Sequence, residues 1–175
     1  MEMRQLGARA AGDLKPAGGC GGRSWARRVR RALAELSAAR DREARRTGET
    51  SAAAEWLLDN WYLAQREGKE AERTLRRAPR RFRAAEGSPY PARLAQVLAE
   101  EAQGVDPEAL DGFLAGVQRT SPLSELELAY FVPALKGELV CRLAALCARL
   151  DGDGQDRALG AVFTALRLRR LGVKL

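Results

Sequence analysis

Apolar positions recur at helical spacing along most of this chain. Trp25, Val29, Leu33 and Leu36 form a narrow stripe, which predicts a helix from an N-cap at Ser24 to about Arg46. Thr47, Gly48 and Thr50 interrupt the pattern. It resumes at Ser51, where Ala53, Trp56, Leu57, Asn60, Ala64, Ala71 and Leu75 share one face of a second helix reaching about Ala78. Leu58, Trp61, Tyr62 and Leu63 widen that face, so its first half is predicted to pack on more than one side. Its second half, from Arg66 to Arg77, is charged, and Pro79 stops it.

A basic connection at residues 80–83 and a turn at residues 87–89 follow. Pro91 opens a third helix through Leu94, Val97, Leu98 and Ala102, ending at Gly104. Asp106 before Pro107 is an N-cap followed by a residue that needs no amide partner; Leu110, Phe113, Leu114 and Val117 are that fourth helix's inward face. Ser121 and Pro122 end it. Ser124 and Glu127 fit the capping box of a long fifth helix, with Leu126, Leu128, Val132, Leu135, Leu139, Val140, Leu143, Leu146 and Leu150 apolar. Pro133 predicts a kink within it, and Gly137 a place for another helix to approach. A turn at residues 151–154 leads to a last helix with Ala158, Val162, Phe163 and Leu166 inward.

The short connections imply antiparallel neighbours, hence an all-α bundle of about five to six helices over residues 24–175. Residues 1–23 show no apolar period, and glycines surround Cys20, so a disordered leader is expected there. They also lack the continuous apolar core of a signal peptide. No stretch spans a membrane; residues 139–150 come nearest but are short and carry Arg142 and Arg149. A cytoplasmic location is expected, peripheral to the inner membrane only through a partner.

Composition supports the helical reading. The 175 residues are 46% hydrophobic and 30% charged, with only 6% aromatic, so Ala and Leu dominate the apolar set. Scarce β-branched residues argue against a sheet. The absence of histidine removes the commonest general base and transition-metal ligand. Cys20, Cys141 and Cys147 are an odd set that fits reduced thiols. Cys141 and Cys147 lie about 9 Å apart along one helix, too far to bridge.

The net charge of +7 is carried mostly by arginine. Two clusters, at residues 27–31 and 76–83, suit phosphate or an anionic surface. The aromatics fall at predicted core positions rather than among the arginines, so base recognition is not indicated and nucleic acid is the weaker expectation. Three further runs invite chemistry. Residues 18–24, GGCGGRS, resemble a phosphate loop, but Ala17 replaces its first glycine and Arg23 its lysine. Residues 151–156, DGDGQD, begin like a calcium loop, but Asp156 replaces its glycine and Val162 its final glutamate. Glu55 and Asp59 stand one turn apart, as paired acid–base carboxylates do, yet Glu55 also suits a helix N-terminus and no companion motif supports catalysis. No catalytic, cofactor-binding or metal-binding residue is assigned, and no cofactor is expected.

Residues 53–65, AAEWLLDNWYLAQ, resemble a segment of bacterial cyclic β-1,2-glucan synthases, in which AEWLLDN followed by aromatics lies in a helical region upstream of the glycosyltransferase domain. The resemblance rests on Glu55, Trp56, Leu57, Leu58, Asp59, Asn60, Trp61 and Tyr62. It extends at pattern level over about residues 50–150, through Leu75 and Pro79, Arg93–Leu94–Ala95, Phe113, and Pro122 to Leu126. Where the family runs acidic and Gln-rich after the aromatics, this chain has Arg66, Lys69 and Arg73. The resemblance implies a UDP-glucose-dependent system with glycosyltransferase and phosphorylase-like domains. Neither fits here, so no family catalytic residue carries over. What it implies for this chain is a non-catalytic helical scaffold or interaction module, a fragment or split-gene piece, with those domains as partners. The alternative is an Arg-rich helical binder of nucleic acid or an anionic surface.

Overall fold

The computed structural model describes residues 2–101, 105–148 and 155–167. Over them the chain forms seven helices and one small sheet. These are α1 (Met3–Asp13), β1 (Ala17–Cys20), α2 (Arg23–Ala44), α3 (Ala52–Arg76), β2 (Phe82–Ala85), β3 (Ser88–Pro89), α4 (Tyr90–Glu101), α5 (Pro107–Thr120), α6 (Glu125–Cys147) and α7 (Gln155–Arg167).

The caps are those the sequence predicts. Ser51 Oγ accepts the Ala54 amide, Asp106 accepts that of Ala109 at 2.7 Å, and Ser124 and Glu127 close a reciprocal capping box. One start differs: α2 begins at Arg23 on an N-cap at Gly22, so Ser24 lies inside the helix. The predicted end of α4 at Gly104 and the turn at residues 151–154 lie outside the described residues.

The bundle is organised around α6. Phe131, Leu135, Leu139, Val140, Leu143 and Cys147 point to different sides of it and all are buried. A helix apolar all round needs neighbours all round, and α2, α3, α4 and α7 supply them. Gly137 admits two of these: an added Cβ would stand 2.9 Å from Val29 Cγ2 on α2 and 3.5 Å from Leu75 Cδ1 on α3. The predicted packing of α3 on several sides is present, against α2, α6 and α7. On α7, Leu159 is buried with Val162, Phe163 and Leu166, whereas Ala158 is only half-buried.

The expected disordered leader is instead structured. Leu6, Ala10, Ala11 and Leu14 are buried, and α1 packs along α5. Small residues make this pairing, which is why a search for large apolar periods misses it. An added Cβ at Gly7 would overlap the Phe113 carbonyl, and one at Gly116 the Arg4 carbonyl, so the two backbones touch.

The sheet is the second departure. Its strand order is β1-β2-β3, antiparallel throughout, pairing Gly19 with Arg83, Cys20 with Phe82 and Ala85 with Ser88. Apart from Phe82, its residues give it little β propensity. A tight hairpin supplies the local order instead: Glu86 and Gly87 both have positive φ, 49° and 75°, as a two-residue type I′ turn requires.

Gly116→Ala should test the α1–α5 contact. The gain in helix propensity is at most about 1 kcal/mol, and the backbone overlap costs about 1–3 kcal/mol. A lower urea midpoint is expected, whereas Gly12→Ala, with only Thr120 Cγ2 at 3.9 Å, should leave it level or raise it. An unchanged midpoint for Gly116→Ala would refute the close approach.

Candidate functional site

Parts of both arginine clusters and the glycine run meet in one place. A cleft of about 960 Å³ is lined by Gly19, Cys20, Gly21, Arg23, Ala26, Arg27, Arg30, Arg76 and Arg80. In the sequence these are three separate features; the fold joins them because α2 and α3 are antiparallel neighbours. The start of α2 therefore lies beside the end of α3, and β1 closes the third side.

The glycines make the join possible. An added Cβ at Gly22 would overlap the Leu75 carbonyl, and one at Gly21 would stand 2.9 Å from Arg80 Cγ. The run GGCGGRS is thus neither a phosphate loop nor a flexible leader. It is a strand and a tight connection that let the first turn of α2 rest against the last turn of α3.

The electrostatics of the cleft are one-sided. Arg30 pairs with Glu72 at 2.6 Å, and Arg76 Nε approaches the same carboxylate at 3.9 Å. Arg23, Arg27 and Arg80 have no acidic partner among the described residues. The lining arginines and Glu72 together leave four uncompensated positive charges. The first turn of α2 contains no acidic residue and its N-cap offers no side-chain acceptor. The positive end of that helix therefore adds to the field.

The sheet edge is anchored by a buried carboxylate. Glu127, 1% exposed, accepts the Arg83 backbone amide at 3.2 Å and the Arg83 guanidinium at 2.8–3.2 Å, as well as the Ser124 amide at 3.0 Å. Arg83 also donates to the Pro122 carbonyl at 2.7 Å and lies over the Tyr90 ring. Burial by itself would raise the Glu127 carboxyl. The Arg83 and Ser124 hydrogen bonds and the guanidinium charge outweigh it and hold the group below its usual range.

The eight motif residues of α3 divide between core and surface. Leu57 and Asn60 are buried, Leu58 and Trp61 half-buried, and Trp61 lies under the Arg40 guanidinium. Trp56 is 36% exposed and Tyr62 62% exposed, against the expectation that the aromatics are core. With Glu55, Asp59, Asn60, Ala52 and Arg167 they line a groove of about 390 Å³. Trp56 stacks on Phe163, and Asn60 Nδ2 donates to the Trp56 carbonyl while its Oδ1 accepts from Arg167. Asn60 thereby ties α3 to α7. Helical periodicity places Trp56 on the inward stripe, but α7 covers only one side of its ring.

A third groove, about 500 Å³, runs between α2, α4 and α6 past Arg28, Glu138, Cys141 and Arg142. Glu138 accepts from Trp25 Nε1 at 3.1 Å and pairs with Arg28. Burial pushes its carboxyl up despite these partners. Burial also pushes the Cys141 thiol to about 11 and that of Cys147 to about 12, so both stay protonated at neutral pH. Cys147 is buried; Cys141 lines the groove in part. Among the described residues no cluster of His, Cys, Asp and Glu is placed to hold a metal, and the calcium-loop run lies outside them. No described helix is long and apolar enough to cross a membrane.

No family model matches this chain, and neither a curated protein nor a solved structure is significantly similar to it.

Glu127→Gln should cost about 2–3 kcal/mol at neutral pH, less than the ~3–5 of a fully buried pair because the Arg83 side chain is 36% exposed. A carboxyl held low in the folded state stabilises above its unfolded pKa, about 4.5, and loses that contribution as pH falls through the folded value. The gap between wild type and variant in urea midpoint should therefore be full above pH 4.5 and close below it. A gap independent of pH would assign the loss to packing instead.

Proposed function

We propose that this protein is a non-catalytic, cytoplasmic binding module whose working surface is the arginine cleft, and that the cleft takes a phosphate-bearing polyanion. The observation that carries this reading is the convergence of Arg23, Arg27, Arg30, Arg76 and Arg80 on one concavity with a single carboxylate, Glu72, among them. Arginine presents a planar fork of donors that matches a phosphate two oxygens at a time. Holding such charges together costs self-repulsion, which an anionic ligand relieves. The absence of histidine removes the commonest base from any catalytic scheme.

Anisotropy of labelled polyphosphate in a salt series tests it. Arg27→Glu combined with Arg76→Glu should lower affinity by roughly tenfold or more at low salt. Arg119→Glu, outside the cleft, should leave it near wild type. All three side chains are exposed, so folding should survive. Equal binding by the cleft variant ends this reading.

A second reading, that the chain is a helical module serving the glycosyltransferase or phosphorylase parts of a cyclic β-1,2-glucan synthase system, is favoured by the α3 groove. Glu55, Trp56, Asp59, Asn60 and Tyr62 line it together. Aromatic faces beside carboxylates and an amide suit a sugar: the rings take its C–H face and the polar groups its hydroxyls. Titration with β-1,2-gluco-oligosaccharide should change tryptophan fluorescence saturably, and Trp56→Ala should abolish the change. An unresponsive wild type would dispose of direct glucan binding.

A further inference from the structure

We infer that the ligand of the arginine cleft is a single strand of nucleic acid, gripped by its sugar–phosphate backbone over about three phosphates without its bases being read; this rests on the cleft being an anion site. The spacing of the cations comes first. Arg23, Arg27 and Arg30 recur every three to four residues, so they lie along one side of α2. At about 1.5 Å per residue the row is about 10.5 Å long. A stacked strand carries a phosphate about every 3.4 Å of axis and an extended one fewer, so the row spans no more than about three of them. Arg76 and Arg80 face it from the end of α3 and the connection beyond. An isolated phosphate needs one or two forks; a row with a facing pair suits an anion extended along the helix.

The shape of the site selects among extended anions. A planar anionic membrane meets protruding cations and inserted apolar side chains. Here the cations line a recess, and the large exposed hydrophobics, Trp56 and Tyr62, line the other groove. A duplex is stiff and offers grooves that admit a protein ridge. A concavity of about 960 Å³ instead admits a flexible strand. The lining contains no aromatic ring on which a base could stack; Trp25, the nearest in sequence, is 3% exposed. Without a stacking platform to hold the bases, the electrostatic grip on the sugar–phosphate backbone remains as the main source of affinity.

Glu72 gives the cleft its arrangement. By pairing with both Arg30 and Arg76, it holds cations of α2 and α3 on the two sides of one channel. The Gly21–Gly22 connection lets the start of α2 lie against Leu75 and Arg80 at the end of α3 and beyond it.

The test is anisotropy of fluorescein-labelled oligothymidylate, oligoadenylate and an oligonucleotide duplex, with a nucleoside triphosphate and phosphatidylserine vesicles as competitors. Both single strands should bind with affinities within about threefold of each other and tighter than the duplex. The log–log salt slope should be about −2, from about three phosphates at roughly 0.7 each, and Arg27→Gln should make it shallower by about 0.7. In a Cys141→Ser background, bound strand should slow alkylation of Cys20, which lines the cleft. Tighter duplex binding, or displacement by vesicles or triphosphate at equal phosphate concentration, overturns the single-strand assignment while leaving the anion cleft standing. Failure of oligonucleotides and polyphosphate alike overturns both.

Discussion

The carboxylate of Glu127 ties the start of α6 to strand β2, beside the edge-to-face contact of Phe82 with Tyr130. It sits at the first turn of α6, the helix around which the bundle packs, and is withdrawn from water. A buried carboxylate persists as an ion only when its oxygens are satisfied, and here Ser124 and Arg83 satisfy them. The same atoms that cap α6 therefore fix β2, and β2 pairs with β1 at Gly19 and Cys20. Through that chain of contacts, a helix cap sets the position of one wall of the arginine cleft. The sheet is small, and its place is held by this anchor together with the buried Phe82 ring on Tyr130.

Glycine is the second constraint. Gly7 and Gly116 bring α1 onto α5, Gly137 brings α2 and α3 onto α6, and Gly22 brings the start of α2 onto the end of α3. In each case a methyl group would meet another chain segment at or within van der Waals distance. A core made largely of alanine and leucine gains little from any one contact, so it compensates by bringing helix axes close together. The glycines that read as breaks in a periodic pattern are here the points of closest packing.

Charge is divided along α3. Its C-terminal end faces the cleft, where arginines outnumber the one carboxylate. Its N-terminal end carries Glu55 and Asp59 beside exposed rings. The interior acids follow a different rule. Glu127 and Glu67 are held low by cationic partners, whereas Glu138 is pushed up because its burial outweighs Arg28 and Trp25. Around neutral pH the first two stabilise the fold and the third opposes it.

From the sequence alone, α2 to α7, the caps of α3, α5 and α6 and the turn after β2 could be read, because caps and large apolar periods are local signals. Each arginine cluster and the glycine run could also be read, one at a time. Their meeting could not, since it depends on α2 and α3 lying antiparallel and on Gly22 passing the Leu75 carbonyl, a contact across more than fifty residues of sequence. The order of α1 was hidden for the same reason: its partner is α5, and its packing uses residues too small to give a hydrophobic period. Trp56 and Tyr62 follow suit, because periodicity places side chains on a helix face, and only the neighbouring helices decide how far that face is covered. Local chemistry thus determined the elements of this protein, while long-range backbone contacts, made where side chains are smallest, determined its site.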